Sequence, residues 1–580
     1  MSASPARPED ASLAGSCNPA RTRWRVWIAA SLLVLPAVAG AVCGDSDGRP
    51  PRAAIASAHP LATAAGFAIL EAGGNAFDAA VAISAVLGVV EPYGSGIGGG
   101  GFWLLHRAED CHESMLDGRE RAPLHAHPGL YLDAEGRFVP ELALAGPLSA
   151  GIPGTPAALV RLAADYGRLP LPRVLAPAIG HARDGFEVNE TYRRLAAWRL
   201  PALRGAATQF LVDGEVPPQG HRLVQPDLAE TLERIARYGH AGFYGGLTAD
   251  RLVSGVRAAG GIWTHEDLIR YQAVERAPIV GEYRGWRLVS AAPPSSGGVL
   301  LVQMLNMLSA LEVQSMSGSQ RIHALTEVMR RAYRDRARYL GDPDQVAMPI
   351  GRLTHPYYAA CLIRDFDPER ATPSQAAAPG TEDAVAEGRA TTHFSVLDRE
   401  GNRVAATLSI NYPFGSGFVA PGTGVLLNDE MDDFSAQPGV ANAYGLIGGE
   451  ANAIAPGKRM LSSMSPTFLE SPDGVAVLGT PGGSRIITMV LQGVLAVVDG
   501  VPLEEWIARP RVHHQYLPDR LELENGALSE SEQRDLAAKG HRLAPLERPI
   551  GDLQAIFWDR AGDQVRAASD PRGSGHAEVR

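Results

Sequence analysis

The 580-residue chain is poor in cysteine and in aromatic residues, with 4 cysteines and an aromatic content of 6%. It has no C-x-x-C and no H-E-x-x-H, so the common zinc, redox and metalloprotease spacings are missing. The neighbours His513 and His514 would point in opposite directions on an extended chain and would not share a metal. Cys111 and Cys361 are compatible with one disulfide or with two buried thiols.

Basic surfaces and aromatic ladders are also missing. The chain has 53 Lys and Arg against 64 Asp and Glu, which gives a formal net charge of −11. This mild acidity favours solubility and argues against a nucleic-acid partner. The one arginine-rich run, Met329 to Leu340, is predicted to be a solvated, salt-bridged helix face rather than a binding patch. With 45% hydrophobic residues, the chain can bury a large core, and its length allows several domains or one large α/β unit.

The hydrophobic run near the N-terminus is short for a membrane span. It extends from Val26 to Val42 and contains Pro36, whereas a spanning helix needs about 20 apolar residues. Three arginines precede its apolar core, Val26 to Leu35, and Pro36 and Ala37-Val38-Ala39 follow that core, the order that is typical of a cleaved secretory signal. We therefore expect residues 1–42 to be a signal peptide and the protein to be secreted or periplasmic, with a retained membrane anchor as the alternative.

One stretch contains a candidate nucleophile. Thr391-Thr392-His393 begins a predicted strand, and a second run after a turn completes a predicted β-hairpin that sets Thr391 opposite Ser409. Phe394, Val396, Val404, Ala406, Leu408 and Ile410 are apolar and all even-numbered, while Thr391, Ser409 and Asn411 group on the odd, polar face. That face is either a site or a solvated outer surface. Cleavage before Thr391 would give one residue both a nucleophilic hydroxyl and an α-amine base.

Two glycine-rich segments have different predicted roles. Gly96, Gly98 and Gly101 match G-x-G-x-x-G, but a helix precedes them and a strand follows, the reverse of a dinucleotide site. We therefore expect close backbone packing there. Gly482 and Gly483 lie between a predicted strand and a predicted helix, where free N–H groups would face an oxyanion. An ordinary strand-to-helix turn is the alternative for the second segment.

Other polar positions are individually weak. Arg119 lies in a predicted turn, where an arginine is usually solvated. A predicted strand ends in an acidic cluster that includes Glu430 and Asp433. The long Gly/Ala/Asn-rich loop Pro438 to Pro456 surrounds Tyr444, and a loop of this length is usually a lid or a binding loop.

In combination, these motifs resemble the γ-glutamyltransferase family of N-terminal nucleophile hydrolases, over about Ala54 to Arg572. The segments that carry the resemblance are 94–101, Arg119-Glu120, 391–393, 428–435, Tyr444, 462–466, 481–485, 510–514 and 569–571. The resemblance implies an α/β (α+β) fold, a four-layered αββα sandwich, made as a proenzyme that cleaves itself before the catalytic threonine. The expected parts are the signal peptide 1–42, a large subunit 43–390 and a small catalytic subunit 391–580.

The resemblance also implies roles in the reaction. Thr391 would be the nucleophile, and Gly482 and Gly483 would form the oxyanion hole. Ser409 would lie beside the nucleophile; the family usually has threonine there. The hydroxyl is retained, but loss of the methyl group is expected to loosen its rotamer and slow self-cleavage.

Substrate binding is implied for seven further residues, which would hold the two charges of a glutamyl group at opposite ends of a short pocket. They are Arg119, Ser462 and Ser463 for the α-carboxylate, Asn411, Glu430 and Asp433 for the α-ammonium, and Tyr444 as the gate of the lid. No metal or organic cofactor is implied, and no nucleic acid or stable membrane span is expected.

The activity that the resemblance implies is γ-glutamyl transfer and hydrolysis of glutathione and other γ-glutamyl amides. A γ-glutamyl-Thr391 ester would pass its acyl group to water, an amino acid or a dipeptide. Two alternatives remain at this point: a related acylase that hydrolyses glutaryl-type amides, and an unprocessed homologue that only binds γ-glutamyl compounds.

Overall fold

The computed structural model describes residues 48–374, 391–437 and 439–580. The predicted signal peptide 1–42, the residue before the predicted cleavage point and Pro438 lie outside these ranges. Among the described helices, none is both long enough and apolar enough to cross a membrane.

The described strands form a seven-stranded sheet, a six-stranded sheet and two small sheets. The strands are β1 (Ala54–Ser57), β2 (Gly100–Arg107), β3 (His112–Asp117), β4 (Phe186–Glu187), β5 (Arg222–Leu223), β6 (Val274–Arg276), β7 (Ile279–Tyr283), β8 (Trp286–Ser290), β9 (Thr391–Leu397), β10 (Arg403–Ser409), β11 (Thr467–Ser471), β12 (Gly474–Gly479), β13 (Val512–His513), β14 (Leu521–Leu523), β15 (Leu543–Pro545), β16 (Gln554–Asp559), β17 (Gln564–Ser569) and β18 (His576–Val579). The larger sheet has the order β18-β1-β9-β10-β2-β3-β6 and the second β17-β16-β12-β11-β8-β7.

Helices cover the outer faces of the two large sheets. They are α1 (Pro60–Glu71), α2 (Ala76–Val90), α3 (Pro140–Leu144), α4 (Thr155–Tyr166), α5 (Leu171–Asp184), α6 (Glu190–Trp198), α7 (Leu200–Ala206), α8 (Pro226–Tyr238), α9 (Ala241–Tyr244), α10 (Gly246–Ala258), α11 (His265–Ile269), α12 (Gly297–Ala310), α13 (Gly318–Tyr339), α14 (Ile350–Leu353), α15 (Pro356–Leu362), α16 (Ile486–Val498), α17 (Leu503–Ala508) and α18 (Glu530–Ala538). The Gly73-Gly74-Asn75 break separates α1 from α2 because Asn75 caps α2 reciprocally with Asp78.

Two hydrophobic cores define the layers. The first packs one face of the seven-stranded sheet, including Phe394, Val396 and Val404, against α1, α2, α4, α5 and α8. The second joins the opposite face of that sheet to the six-stranded sheet and to α12, α13 and α16. Both faces of each large sheet are therefore covered, and the order helix–sheet–sheet–helix confirms the predicted four-layered αββα sandwich.

The hairpin β9–β10 has the predicted register, with Thr391 paired to Ser409. The prediction of a possible solvated odd face was wrong. Thr391 is 7% exposed, and His393 and Ser395 are fully buried. The reason is the second sheet: the Ser395 hydroxyl donates to the carbonyls of Val477 (3.2 Å) and Gln554 (3.0 Å), which lie on β12 and β16. The polar face is thus enclosed between sheets.

The arginine-rich run of α13 is also not the solvated face that its charge predicts. Arg330, Arg331 and Arg336 are only 3–4% exposed, whereas Arg334 lies at the surface. Arg330 and Arg331 pair with the buried carboxylate of Glu327, which offsets the cost of removing their charges from water. The helix therefore has arginines on the side that packs into the protein.

Close backbone packing explains the first glycine-rich segment, as predicted. A Cβ on Gly98 would lie 1.9 Å from the carbonyl oxygen of Leu426, and one on Gly99 would lie 2.2 Å from that of Ser409. These glycines let the chain run directly behind the end of β10. The predicted strand around Leu426 is reduced to one isolated bridge with Val419.

The two cysteines are not joined to each other. Cys111 is disulfide-bonded, whereas Cys361 has a thiol and is partly exposed. Neither sequence alternative, a shared disulfide or two buried thiols, describes this pair.

The buried, neutral side chain of His393 should make the folded protein less stable in acid. Burial lowers the pKa of His393 to about 3, and its ring has only hydroxyl partners, Thr407 and Ser395. The unfolded chain takes up a proton below about pH 6.5 that the folded chain refuses. The free energy of unfolding should therefore fall as pH drops from about 6.5 towards 3, by about 1.4 kcal/mol per pH unit for this group.

The measurement is thermal unfolding of Thr391→Ala, which lacks the hydroxyl predicted to cleave the chain, between pH 4 and 7.5, with and without His393→Gln. The histidine-free chain should lose less midpoint temperature on acidification. An equal loss in both chains would show that His393 does not contribute to the acid sensitivity.

Candidate active site

The structure places Thr391 beside two polar groups at the end of the hairpin. Its Oγ1 lies 3.2 Å from Oγ of Ser409, a hydrogen-bond distance. The backbone N–H of Asn411 donates to the same Ser409 oxygen at 2.8 Å. Asn411 has a left-handed φ of 70°, so the chain turns sharply away from β10 just after Ser409. This turn fixes the Ser409 hydroxyl against Thr391.

A small cavity of about 20 Å³ lies next to Thr391. Every residue that the sequence analysis proposed for the site lines it, except Gly482. The proposed residues that line it are Arg119, Thr391, Ser409, Asn411, Glu430, Asp433, Tyr444, Ser462, Ser463 and Gly483. Gly482 precedes Gly483 directly in the chain. Residues from seven separate stretches of sequence are thus gathered in one place.

One end of the cavity holds a buried ion cluster. Arg119 is 1% exposed, and its Nη1 donates to Glu430 at 2.6 Å while Nη2 donates to Asp433 at 2.5 Å. Its Nε donates to the carbonyl of Met460 at 3.1 Å, which fixes the guanidinium plane. Arg119 is therefore not the solvated turn arginine that its local sequence indicates, because these distant acids enclose it.

The acids outnumber the cation that they surround. Burial raises the pKa of Glu430 to about 7, although Arg119 opposes the rise. Burial likewise raises the pKa of Asp432 to about 8, and that of Glu120 well above its ordinary value. Neither carboxylate oxygen of Glu120 has a hydrogen-bond partner among the described residues. A cationic group in this region would restore charge balance, because the buried carboxyl groups could then ionise.

Another part of the cavity wall is formed by the hydroxyl groups of Ser462 and Ser463. The N–H of Met464 donates to Oγ of Ser462 at 3.1 Å, and Nη2 of Arg336 donates to Oγ of Ser463 at 3.2 Å. Each serine oxygen already accepts a hydrogen bond, so its own proton is left for another acceptor. Two such donors suit an anion.

The second glycine-rich segment begins the turn into α16. Gly482 and Gly483 have φ values of 142° and 57°, which favour glycine. Among the backbone hydrogen bonds of turns, loops and helix caps in the described chain, none has the N–H of Gly482 or Gly483 as its donor. A Cβ on Gly483 would lie 2.5 Å from the ring of Tyr444, so only glycine fits beneath that ring. The segment therefore offers amides at the cavity wall beside a helix start.

The loop around Tyr444 forms part of the cavity wall. The Tyr444 hydroxyl donates to the carbonyl of Asn411 at 2.7 Å, and its ring packs at 5.7 Å from that of Tyr412. Asn442 braces the loop, since its side-chain oxygen accepts from the N–H of Tyr444 at 3.0 Å and its amide donates to Asp433 at 3.3 Å. This loop is therefore linked directly to the acidic cluster.

Comparison with known proteins identifies the family of this chain. The family model described as Gamma-glutamyltranspeptidase matches residues 62–579. This chain belongs to the γ-glutamyltranspeptidase family. It is 42% identical over 533 residues to the "Glutathione hydrolase proenzyme" of Escherichia coli (strain K12), covering 90% of this chain and 91% of that protein.

Solved structures agree with the family assignment. The crystal structure of cephalosporin acylase from Bacillus halodurans has a TM-score of 0.79 and 27% identity, covering 91% of this chain and 95% of that one. The Helicobacter pylori gamma-Glutamyltranspeptidase structure has a TM-score of 0.54 and 38% identity, covering 57% of this chain and 96% of that one. The roles of individual residues in this γ-glutamyltranspeptidase family member stay predictions.

Sequence analysis missed several residues that shape this family member's site. Arg336, Glu120 and Asp432 were not proposed, although all three are buried around the cavity residues. A signal for Arg336 does exist, because it shares helical spacing with the apolar residues Met329 and Tyr333, which places all three on one face of α13. For Glu120 and Asp432, the only sequence signal is their position next to proposed site residues, in Arg119-Glu120 and in the acidic cluster 428–435.

One cluster elsewhere in this family member has metal-ligand chemistry. The ligand atoms of His323, Glu327 and His541 lie within 4.8 Å of one another. However, Nδ1 of His323 and Nε2 of His541 are 2.7 Å apart, a hydrogen-bond distance, and Glu327 is paired with Arg330 and Arg331. Two adjacent guanidinium groups disfavour a further cation, so the cluster is best described as a buried polar network.

Proposed function

We propose that this protein hydrolyses glutathione and other γ-glutamyl amides, and transfers their γ-glutamyl group to amines, through an ester on Thr391. The observation that carries the proposal is the composition of the cavity: it combines the Thr391 hydroxyl with Arg119, Glu430 and Asp433. A glutamyl head group is a zwitterion, and it needs a fixed cation and fixed anions in one short pocket. The names of the relatives point to the same substrate class.

Recognition would proceed by exchange of partners. The substrate α-carboxylate would bind Arg119 and the free hydroxyl protons of Ser462 and Ser463. The α-ammonium would then bind Glu430 and Asp433, which gain a cation in place of the shared guanidinium. Each charged group keeps a partner in the exchange, so the cost of burying it is offset throughout.

The chemical step would use the free α-amine of Thr391 as base. An α-amine has an ordinary pKa of about 8, which suits proton transfer near neutral pH. The hydroxyl oxygen attacks the γ-carbonyl carbon and its proton passes to the amine, while N–H groups of Gly482 and Gly483 hold the oxyanion. Collapse breaks the amide bond, and the amine delivers the proton to the leaving nitrogen. Water or an acceptor amine then attacks the ester and regenerates Thr391.

The α-amine of Thr391 becomes free only when the chain is cleaved before this residue. We propose that the protein is also exported. Cleavage between Ala390 and Thr391 would yield a large fragment ending at 390 and a small fragment, 391–580, that begins with the nucleophile. The proenzyme name of the relatives supports a processed precursor. The signal-like order of residues 1–42 supports export before or during this maturation.

A glutaryl amide hydrolase is the competing function. A glutaryl group keeps the carboxylate but lacks the ammonium, so it would leave Glu430 and Asp433 without their cation after Arg119 changes partner. Leaving buried carboxylates uncompensated is costly. The acid-rich cavity therefore favours γ-glutamyl over glutaryl substrates, even though a cephalosporin acylase has a similar fold.

The test is a matched pair of anilides, γ-glutamyl and glutaryl p-nitroanilide, which differ only in the ammonium. We expect the γ-glutamyl compound to react with at least about 100-fold higher kcat/KM, a free-energy difference of about 3 kcal/mol. With glutathione and glycylglycine together, γ-glutamyl-glycylglycine should form. Rapid denaturation and peptide mapping should locate the acyl group on Thr391. Faster turnover of the glutaryl compound would overturn the proposal.

Ser409 provides a prediction about processing speed. Its hydroxyl lies between Thr391 and the N–H of Asn411, and serine can leave this position by rotating. Ser409→Thr should restrict the rotamer and speed self-cleavage several-fold, while Ser409→Ala should slow it by at least about tenfold, because the hydrogen bond is lost. The measurement is the rate of fragment appearance on gels. Equal rates in all three proteins would contradict the role.

A further inference from the structure

Arg336 is a buried cation next to the cavity that forms no ion pair within the described residues. It lies near the end of α13 and is 4% exposed. Its Nε donates to Oγ of Ser296 at 3.0 Å, and its Nη2 donates to Oγ of Ser463 at 3.2 Å. Buried guanidinium groups usually have carboxylate partners, because hydroxyl groups compensate little of the lost hydration. The lack of an acid beside Arg336 calls for a reason.

The hydrogen bonds of Arg336 impose a direction on the serine wall. A guanidinium is only a donor, so Ser463 Oγ must accept from it and keep its own proton for another acceptor. Ser296 accepts from Arg336 and donates onward to the carbonyl of Ser462 at 2.7 Å. Arg336 therefore fixes Ser463 directly and the Ser462 backbone through one intermediate.

The charge of Arg336 is also incompletely balanced. Burial lowers its pKa, and among its charged neighbours Asp433 opposes this effect while Arg119 adds to it. Asp433 is already bound to Arg119. An anion that bound the free hydroxyl proton of Ser463 would lie close to Arg336 and would supply the missing negative charge.

We propose that Arg336 is a positioning residue for the substrate α-carboxylate, acting through Ser463 and, through Ser296, on Ser462. It makes the site select ligands that carry this carboxylate. The inference rests on the proposed γ-glutamyl function and deepens it, because it assigns a second cation to the carboxylate end of the pocket. Arg119 would bind the carboxylate directly, while Arg336 would orient the hydroxyl donors and add long-range attraction.

The experiment compares three ligands by calorimetry on the processed wild-type protein and on Arg336→Gln. L-Glutamate has both charges of the head group, glutarate lacks the ammonium, and 4-aminobutyrate lacks the α-carboxylate. We expect glutamate and glutarate to bind about 10- to 100-fold more weakly to the variant, in line with the loss of a charge-assisted donor. Binding of 4-aminobutyrate should change less than about twofold.

Three further variants separate positioning from folding. Arg336→Lys keeps the charge but not the planar guanidinium that bonds two serines at once, so it should recover part of the affinity for carboxylate ligands. Ser296→Ala removes only the hydroxyl that links Arg336 to the backbone of Ser462. It should weaken glutamate binding by less than Arg336→Gln does. Arg334→Gln removes the same charge from the solvent-exposed side of α13 and should leave all three affinities unchanged.

The outcomes discriminate clearly. Equal weakening of all three ligands in Arg336→Gln would mean a structural role and would overturn the proposal, as would unchanged binding of glutamate. If Arg336→Gln does not fold, the same comparison on Ser296→Ala and Arg336→Lys decides. Carboxylate-selective loss in a protein that fails to turn over γ-glutamyl amides would support the inference and reject only the proposed reaction.

Discussion

Thr391→Ala should produce a single uncut chain with no measurable γ-glutamyl turnover. The substitution removes the hydroxyl that would attack the preceding peptide carbonyl and, later, the substrate. Without the first attack there is no α-amine, so the base is lost along with the nucleophile. Losses of this kind in nucleophilic hydrolases are on the order of 10⁴-fold or more. Intact mass and anilide turnover on the same sample measure both effects.

Two controls accompany this variant. Thr391→Ser keeps a hydroxyl and should still cleave and turn over, at reduced rates, because serine lacks the methyl group that restricts the rotamer. Thr392→Val removes a neighbouring hydroxyl that donates to Glu91 at 2.9 Å, on the opposite face of β9. It should process and keep turnover within about tenfold, at some cost in stability. Two fragments and activity from Thr391→Ala would exclude Thr391 as the nucleophile.

Arg119→Gln should lower kcat/KM for γ-glutamyl substrates by on the order of 10³-fold, because removing one partner of a buried pair costs about 3–5 kcal/mol. The guanidinium bonds Glu430 and Asp433 in the folded protein. Without it, the pKa of Glu430 should rise further and Asp433 should lose its cationic partner, so the ammonium end fails together with the carboxylate end. Arg119→Lys should lose less activity, because the ammonium keeps the positive charge. It should still lose some, because one ammonium cannot make both separate contacts to Glu430 and Asp433.

A double-substitution cycle checks this explanation. Adding Asp433→Asn to Arg119→Gln removes a carboxyl that the first change leaves uncompensated, so the combined loss should be smaller than the sum. Arg121→Gln is the matched control: its Nε donates to the carbonyl of Gly457 at 2.7 Å, and it does not line the cavity. Additive losses, or an equal loss in Arg121→Gln, would contradict the ion-cluster explanation.

Local pattern was a sound guide wherever neighbouring residues decide the structure. The alternation of apolar residues along β9 and β10 predicted the pairing of Thr391 with Ser409, because side chains alternate on every strand and the turn length sets the register. Glycines at 98 and 99 indicated close packing, although not which carbonyls they contact.

Charge was a poor guide wherever distant residues decide the environment. Arg119 has the local sequence of a solvated arginine, yet it is buried by contacts more than 100 positions away in sequence. For Arg336, helical spacing indicates the buried face of α13 but not the distant Ser463 that it contacts. The polar face of β9 has the same composition whether it meets water or a second sheet. No pattern within one element contains that difference, since burial depends on which element packs against it.

The sequence by itself determined the candidate nucleophile, its partner on the next strand and the motifs that place the chain in its family. These depend on strand periodicity, turn geometry and residue identity, all of which are local. Only the tertiary structure decided that Arg119 pairs with Glu430 and Asp433 and that Arg336 donates to the hydroxyl of Ser463. Those facts depend on long-range packing of two sheets and α13, which brings separate buried charges within hydrogen-bond distance and so sets their energies.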